Sequence, residues 1–290
     1  MGLRDLLVSV DRTSAGETRL RLALAVARAQ RAHLYAVHPL FSETEQINPP
    51  RIIDYGPMAA PGSGIGVHPP GLALAEIRHA AERDEAAERL FEDELRANGI
   101  EGEWHFVEDE AEVTELVKAV DLAILGQIAG ADEAGTARFR PEEVLQAAGR
   151  PVLVVPYAGR FATLGRRALI AWDGTREATR ALNDALPLLG GAEAVTLLHV
   201  AAREAESDPM RPALERALRH LQHHGIRAQA VTTLKGDLAV SDVLLSRAAD
   251  LAADLIVAGL YHHSPMREAV FGGVSRELLA HMTVPVLMSH

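Results

Sequence analysis

The sequence predicts an α/β protein made of two tandem domains, each a five-stranded parallel sheet with helices on both faces. Three observations carry this. Short apolar runs alternate with helix-periodic segments along nearly the whole chain, the pattern of repeated βαβ units. The pattern also restarts: LLVSVD at 6–11 returns as ALIAWD at 168–173, with Asp11 and Asp173 162 residues apart. Finally, the chain is 48% hydrophobic but only 4% aromatic, so Ala, Leu and Val must fill the core. Alanine-rich apolar content favours helices packed on a buried sheet.

The first copy opens with the run Leu6 to Val10, closed by Asp11. Ser14 is a candidate N-cap, and Glu17 three residues on completes a capping box for a helix carrying Leu20, Ala23, Leu24 and Ala27. Leu34 to Val37 reads as a second strand, so the unit is strand, helix, strand. Residues 39–71 then hold seven prolines and five glycines, an irregular excursion. A charged, Ala-rich helix follows over 72–98 and stops at Gly99. A strand at 103–107, a helix at 112–120 and a strand at 121–126 come next. Pro141 suits the first turn of a helix over 141–148, and the strand 151–156 closes the set.

Tyr157 to Gly165 is a linker, which divides the chain into domains at 1–157 and 166–290. In the second copy, strands are expected at 168–173, 195–200, 228–234, 255–259 and 284–288. Helices are expected at 175–189, 209–224, 238–252 and 274–281. Offsets support a duplication: Val37 to Val200 spans 163 residues and Pro151 to Pro285 spans 134, the shortfall matching the excursion. Ligands in such sheets sit beyond the carboxyl ends of the strands, where the strand order switches. Asp11, Gly126, Asp173, Val200 and Gly259 fall at such ends.

Composition excludes several classes. The net charge is −11 and no basic patch stands out, which argues against nucleic acid as a partner. No run of 18 apolar residues occurs, so no membrane span is expected. With no cysteine, thiol catalysis, disulfides and thiolate metal sites are excluded. The N-terminus lacks the apolar stretch of a signal peptide, and a cytoplasmic location is expected.

The last stretch, from Asp254 to His290, holds the most suggestive geometry. A strand ends at Gly259, and twelve residues later Gly272-Gly273 opens a helix. Such a start offers unpaired N–H groups and the positive end of the helix dipole, which together suit a phosphate. It lacks the Lys of the common P-loop, and by geometry alone a plain strand-loop-helix corner is the better account.

The segments VDRTSAGE, AWDGTREA, TLLHV and GLYHHSPMREAVFGGVSRELL, with the closing RPVLVVP and VPVLMSH, resemble the universal stress protein family in its tandem two-domain form. The resemblance implies Rossmann-like domains of the adenine nucleotide alpha hydrolase-like type. Many members bind ATP through Gly, two residues, Gly, nine residues, Gly, then Ser or Thr. Here Gly259 and Gly272 match; His262 replaces the second Gly, and Gly273 the hydroxyl, with Ser275 two places on. His262 either supplies an imidazole donor or blocks the pocket. The resemblance implies that these five residues surround phosphates, that Asp173 lies near the adenosine, and that the main chain of Val200 contacts adenine. Mg²⁺ is expected to accompany ATP. In the first half, Ala129 and Phe139 stand at the corresponding positions, so no phosphate loop is expected there. That half then serves as a pseudo-subunit, packed on the second through strands 151–156 and 284–289, and a homodimer of the whole chain is also allowed.

His220 and His224 are spaced i, i+4, as zinc ligands can be, but no third ligand is evident and a solvated helix face is the simpler account. Asp11 and Asp173 could be catalytic carboxylates or plain caps of the following turn. No nucleophile elbow or metalloprotease motif occurs, and no enzyme activity is expected. The leading function is stress-linked adenine-nucleotide binding without turnover. The alternatives are an interaction module that has lost the nucleotide and a weak ATP hydrolase using Asp173 or His262.

Overall fold

The computed structural model describes residues 2–11, 13–39, 85–107, 110–128, 139–203, 207–260 and 273–290. The excursion beyond Pro39 and the first part of the helix expected over 72–98 lie outside them. In the first half, β1 (Asp5–Ser9), α1 (Ser14–Gln30) and β2 (His33–Pro39) are followed by a helix over 85–98 (α2) and β3 (Gly102–Val107). Then come α3 (Glu110–Lys118), β4 (Leu122–Gly126), α4 (Pro141–Ala148) and β5 (Val152–Val155). The second half runs β6 (Arg167–Ala171), α5 (Arg176–Leu189), β7 (Ala194–Ala201), α6 (Ser207–His223) and β8 (Ala228–Leu234). It closes with α7 (Val240–Asp250), β9 (Leu255–Gly259), α8 (Gly273–His281) and β10 (Val286–Ser289).

All ten strands form one sheet in the order β3-β2-β1-β4-β5-β10-β9-β6-β7-β8. Within each half every pairing is parallel, and the order reverses between β1 and β4 and again between β6 and β9. The halves meet at β5 and β10, which pair antiparallel with Leu153 opposite Leu287. The seam thus falls on the closing strands picked out in the sequence, and the two five-stranded layers are continuous.

Because successive side chains in a strand point to opposite faces, each apolar run supplies two cores. Leu6 and Val8 face a layer that includes α1, α2, α5 and α6, through residues such as Leu20, Phe91, Leu182 and Leu221. Leu7 faces the other layer, with Val113, Leu145, Leu244 and Leu278 from α3, α4, α7 and α8. Each cluster spans both halves, so the seam is packed from both sides.

The duplication is visible in individual bonds. Asp121 accepts the N–H groups of Arg4 (2.6 Å) and Asp5 (3.2 Å); Asp254 accepts those of Arg166 (3.2 Å) and Arg167 (2.9 Å). His38 Nδ1–H donates to Val10 O at 2.9 Å, and His199 Nδ1–H to Trp172 O at 3.0 Å. The carbonyl can only accept, so the proton of each ring sits on Nδ1. These histidines correct the alignment of the second strands: His38 matches His199, so Pro39, not Val37, is the twin of Val200. The α1 cap also differs from expectation. Thr13, with extended backbone, is the N-cap, its hydroxyl accepting from Gly16 N at 3.0 Å, and Ser14 is the first helical residue. Thr13 takes the role because Asp11 holds it: the carboxylate accepts from both its N–H and its hydroxyl.

Candidate functional site

In the second half a cavity of about 170 Å³ opens at the carboxyl ends of β6 and β9, at the switch in strand order. Its apolar wall includes Val200 from β7, Val240 and Leu244 from α7, and Leu278 from α8. Asp173, Thr175 and Glu177 supply the polar rim. Asp173 is partly fixed: its Oδ1 accepts from Thr175 N (3.0 Å) and Oγ1 (2.6 Å), and Thr175 Oγ1 in turn accepts from Ala178 N (3.2 Å) to cap α5. One carboxylate oxygen is therefore spent on a turn, while Oδ2 has no partner among the described residues. That arrangement suits a rim group that accepts hydrogen bonds better than it suits a general base.

Four of the seven residues marked in the sequence meet here: Asp173, Val200, Gly259 and Ser275 all line the cavity. Gly273 begins α8 next to them, and among the described residues nothing lies within 4 Å of where a Cβ would stand. Ser275, in the first turn of the helix, is 1% exposed. Gly259 has a different reason to be glycine from the one inferred. A Cβ there would lie 2.5 Å from Ala178 N and from Glu177 C, so the residue lets the start of α5 close on β9. His262 and Gly272 lie outside the described residues.

Residues 165–290 match the sequence model of the universal stress protein family. A comparison with curated proteins gives no match. Among solved structures, a universal stress protein from Archaeoglobus fulgidus DSM 4304 is similar at a TM-score of 0.69 and 16% identity, covering 98% of this chain and 95% of its own. A functionally unknown protein from Pseudomonas aeruginosa PAO1 is similar at 0.60 and 14%, covering 99% and 92%. At these identities the likeness establishes the fold, and it does so over both halves.

The twin of this cavity in the first half has collapsed to about 10 Å³. Two side chains on its lining, Arg19 and Phe139, account for this. Arg19 on α1 is 3% exposed, donating through Nε to Ser9 O (2.5 Å) and through Nη2 to Asp11 Oδ2 (2.5 Å). Burial pushes the Asp11 carboxyl up, but the Arg19 guanidinium and the Thr13 bonds outweigh it and hold it below its ordinary value. Phe139 is 3% exposed. Counted back from the buried pairs Val144-Leu145 and Leu278-Leu279, it stands where the second half has Gly273, one place later than the count from Gly126 and Gly259 gives. Pro141 then stands for Ser275 and removes an N–H from the helix start. Beside the cavity, Glu110 Oε2 accepts from Arg140 N at 3.0 Å and so supplies the start of α4 with an anion from within the chain.

Other marked groups are separate. His220 lies on α6, its Nε2 sharing a hydrogen bond with Asn183 Oδ1 (3.0 Å), with the His224 ring 4.7 Å away. Among the described residues no cluster could hold a metal ion, and no helix is long and apolar enough to cross a membrane. Sequence reasoning missed Arg19, Glu110 and Gln127. Arg19 had a signal, since it interrupts the apolar stripe of α1.

Proposed function

We propose that the second half binds an adenine nucleotide in its cavity and acts as a ligand-responsive stress protein domain without turnover, the first half serving as a closed support. The observation that carries this is the cavity itself: an apolar slot at the strand-order switch, flanked by the first turn of α8 and bare of side chain at Gly273. At about 170 Å³ it is smaller than the roughly 300–1,000 Å³ of common ligand pockets, so a base and sugar would fill it and leave phosphates at the mouth. The planar base fits between Val200 and the leucines of α7 and α8, and Asp173 Oδ2 can accept from a ribose hydroxyl. The phosphates would then face the N–H groups at the start of α8. No described side chains could hold Mg²⁺ by themselves, so the ion would arrive with a triphosphate and be held chiefly by its oxygens. The residue boundaries 1–157 and 166–290 belong to the same proposal.

Calorimetric titration of the full chain with AMP, ATP and ATP with Mg²⁺ tests it. Saturable binding is expected, and Gly273→Phe, which installs the first half's residue, should weaken it at least about tenfold, or about 1.4 kcal/mol. The variant should melt like the parent, because among the described residues nothing stands within 4 Å of the new Cβ. No heat from the parent at millimolar nucleotide would overturn the proposal.

A further inference from the structure

Gln127 is buried, 4% exposed, and lies just past β4 in the first half. Its side chain crosses the seam. Nε2 donates to Leu279 O at 2.7 Å and to Ala280 O at 3.1 Å, two carbonyls in the last turn of α8. Oε1 accepts from Tyr157 N at 3.2 Å, and the backbone N–H donates to Val155 O at 2.8 Å. The amide is thus held from behind by β5 and the chain just after it, while it grips a helix of the other half.

The last four carbonyls of a helix lack partners within it, and this end carries the negative pole of the dipole. Gln127 satisfies two of them with one amide group. The twin position is Leu260, whose N–H donates to Ser289 O at 2.8 Å in the same manner, but whose side chain is apolar and lines the cavity. Among the described residues only one of the two helices that border the seam is therefore gripped by a side-chain amide, and it is the one whose opposite end faces the cavity. A nine-residue helix is about 13.5 Å long, too long for Gln127 to touch a ligand at its start. It is also short enough to open as a unit when one end is freed.

We propose that Gln127 is a positioning residue through which the first half holds α8 in place, so that the first turn of the helix faces the cavity. One of its two readouts rests on the proposed nucleotide site; the other does not. The first is nucleotide affinity of the full chain. Gln127→Leu, the twin's residue, should weaken ATP binding by about three- to tenfold, and Gln127→Glu by more, since its carboxylate would face two carbonyl oxygens. The second is amide hydrogen exchange in the absence of nucleotide. The amides of Glu277 and Leu278 bond to Gly273 and Val274 in the first turn. In Gln127→Leu they should exchange at least about fivefold faster relative to the core amides of Leu169 and Ile256, which register global opening. Faster exchange confined to the last turn, with unchanged affinity, would make Gln127 a local cap and overturn the proposal. Should the parent bind no nucleotide, the functional proposal fails, while exchange at Glu277 and Leu278 still decides the role of Gln127.

Discussion

The two halves share strand order, caps and the histidine bonds to the neighbouring strand, yet at corresponding strand ends the cavity is about 170 Å³ in one and about 10 Å³ in the other. The difference comes from few side chains. Where α5 carries Ala181, α1 carries Arg19; where α8 begins with Gly273, Phe139 precedes α4. The carboxylates diverge accordingly. Asp11 presses on Gly16, where a Cβ would collide with it, and pairs with a buried guanidinium. Asp173 has Ala178 at the corresponding place and remains at the rim of an open slot. A duplicated fold therefore keeps its scaffold while one copy fills its ligand site with its own groups: a cation for the carboxylate, a ring for the hollow, a carboxylate for the helix start.

The largest effect should follow from breaking the internal cation. Arg19→Ala would leave Asp11 buried beside an unbonded Ser9 carbonyl and should destabilise the protein by about 3–5 kcal/mol. Pairing it with Asp11→Asn should recover much of the loss, because no charge is then stranded. Urea unfolding measures both. Equal stability of Arg19→Ala and the parent would mean that the ion pair does not hold the first half closed. The linkage sign is fixed by the lowered Asp11 carboxyl. Its contribution is present above the unfolded carboxylate value and is lost as pH falls through the lower, folded value. The parent's excess over the double variant should therefore shrink only in strong acid.

A smaller effect is expected at the open site. Gly259→Ala places a Cβ 2.5 Å from the backbone of Glu177 and Ala178, and two backbones cannot part cheaply. The expected loss is about 1–3 kcal/mol in thermal or urea unfolding. Nucleotide affinity should fall too, because the start of α5 carries the Thr175 cap that orients Asp173. Ordinary melting with intact binding would show that the approach of α5 to β9 is looser than these distances require.

Much of the scaffold was legible because its signals are local. Val152 to Val155 could hardly be anything but a buried strand, and α4 is bracketed by Pro141 and by Gly149 in the left-handed conformation, so its limits follow from chain stereochemistry. Asp173, Val200 and Gly259 could be placed together because strand ends in this topology converge, whereas Ser275 was placed with them by the family resemblance. What could not be read depends on distance along the chain. Gln127 meets Leu279 from 152 residues away, and Glu110 meets Arg140 from 30. Nothing near either residue hints at the partner. Gly259 teaches a subtler lesson: its position was found, but its cause is helix packing, which only the coordinates of Glu177 and Ala178 reveal. The second strands were misaligned because apolar Val37 and Val200 look alike, whereas the bonds of His38 and His199 fix the true register.

The smallest effect concerns the anion the first half provides for itself. Burial raises the Glu110 carboxyl above its ordinary value; the Arg140 N–H bond pulls the other way, and Glu143 adds to the rise. A raised carboxyl means that the folded state holds its proton more tightly than the unfolded chain. Its contribution is therefore most favourable below the unfolded value and declines as pH rises through the folded one. Glu110→Gln keeps an oxygen for Arg140 N–H and removes the charge. The variant should gain on the parent as pH goes from 4 to 8, by less than about 1 kcal/mol because solvent screens the group. Paired urea curves at the two pH values cancel every other carboxylate, leaving the sign as the result. Should the parent gain instead, the helix dipole would be holding the charge more strongly than burial opposes it, and Glu110 would be a stabilising anion in its own right. The start of α4 would then be an occupied anion site of the kind proposed for α8, and the likeness between the two helix starts would be closer than burial alone suggests.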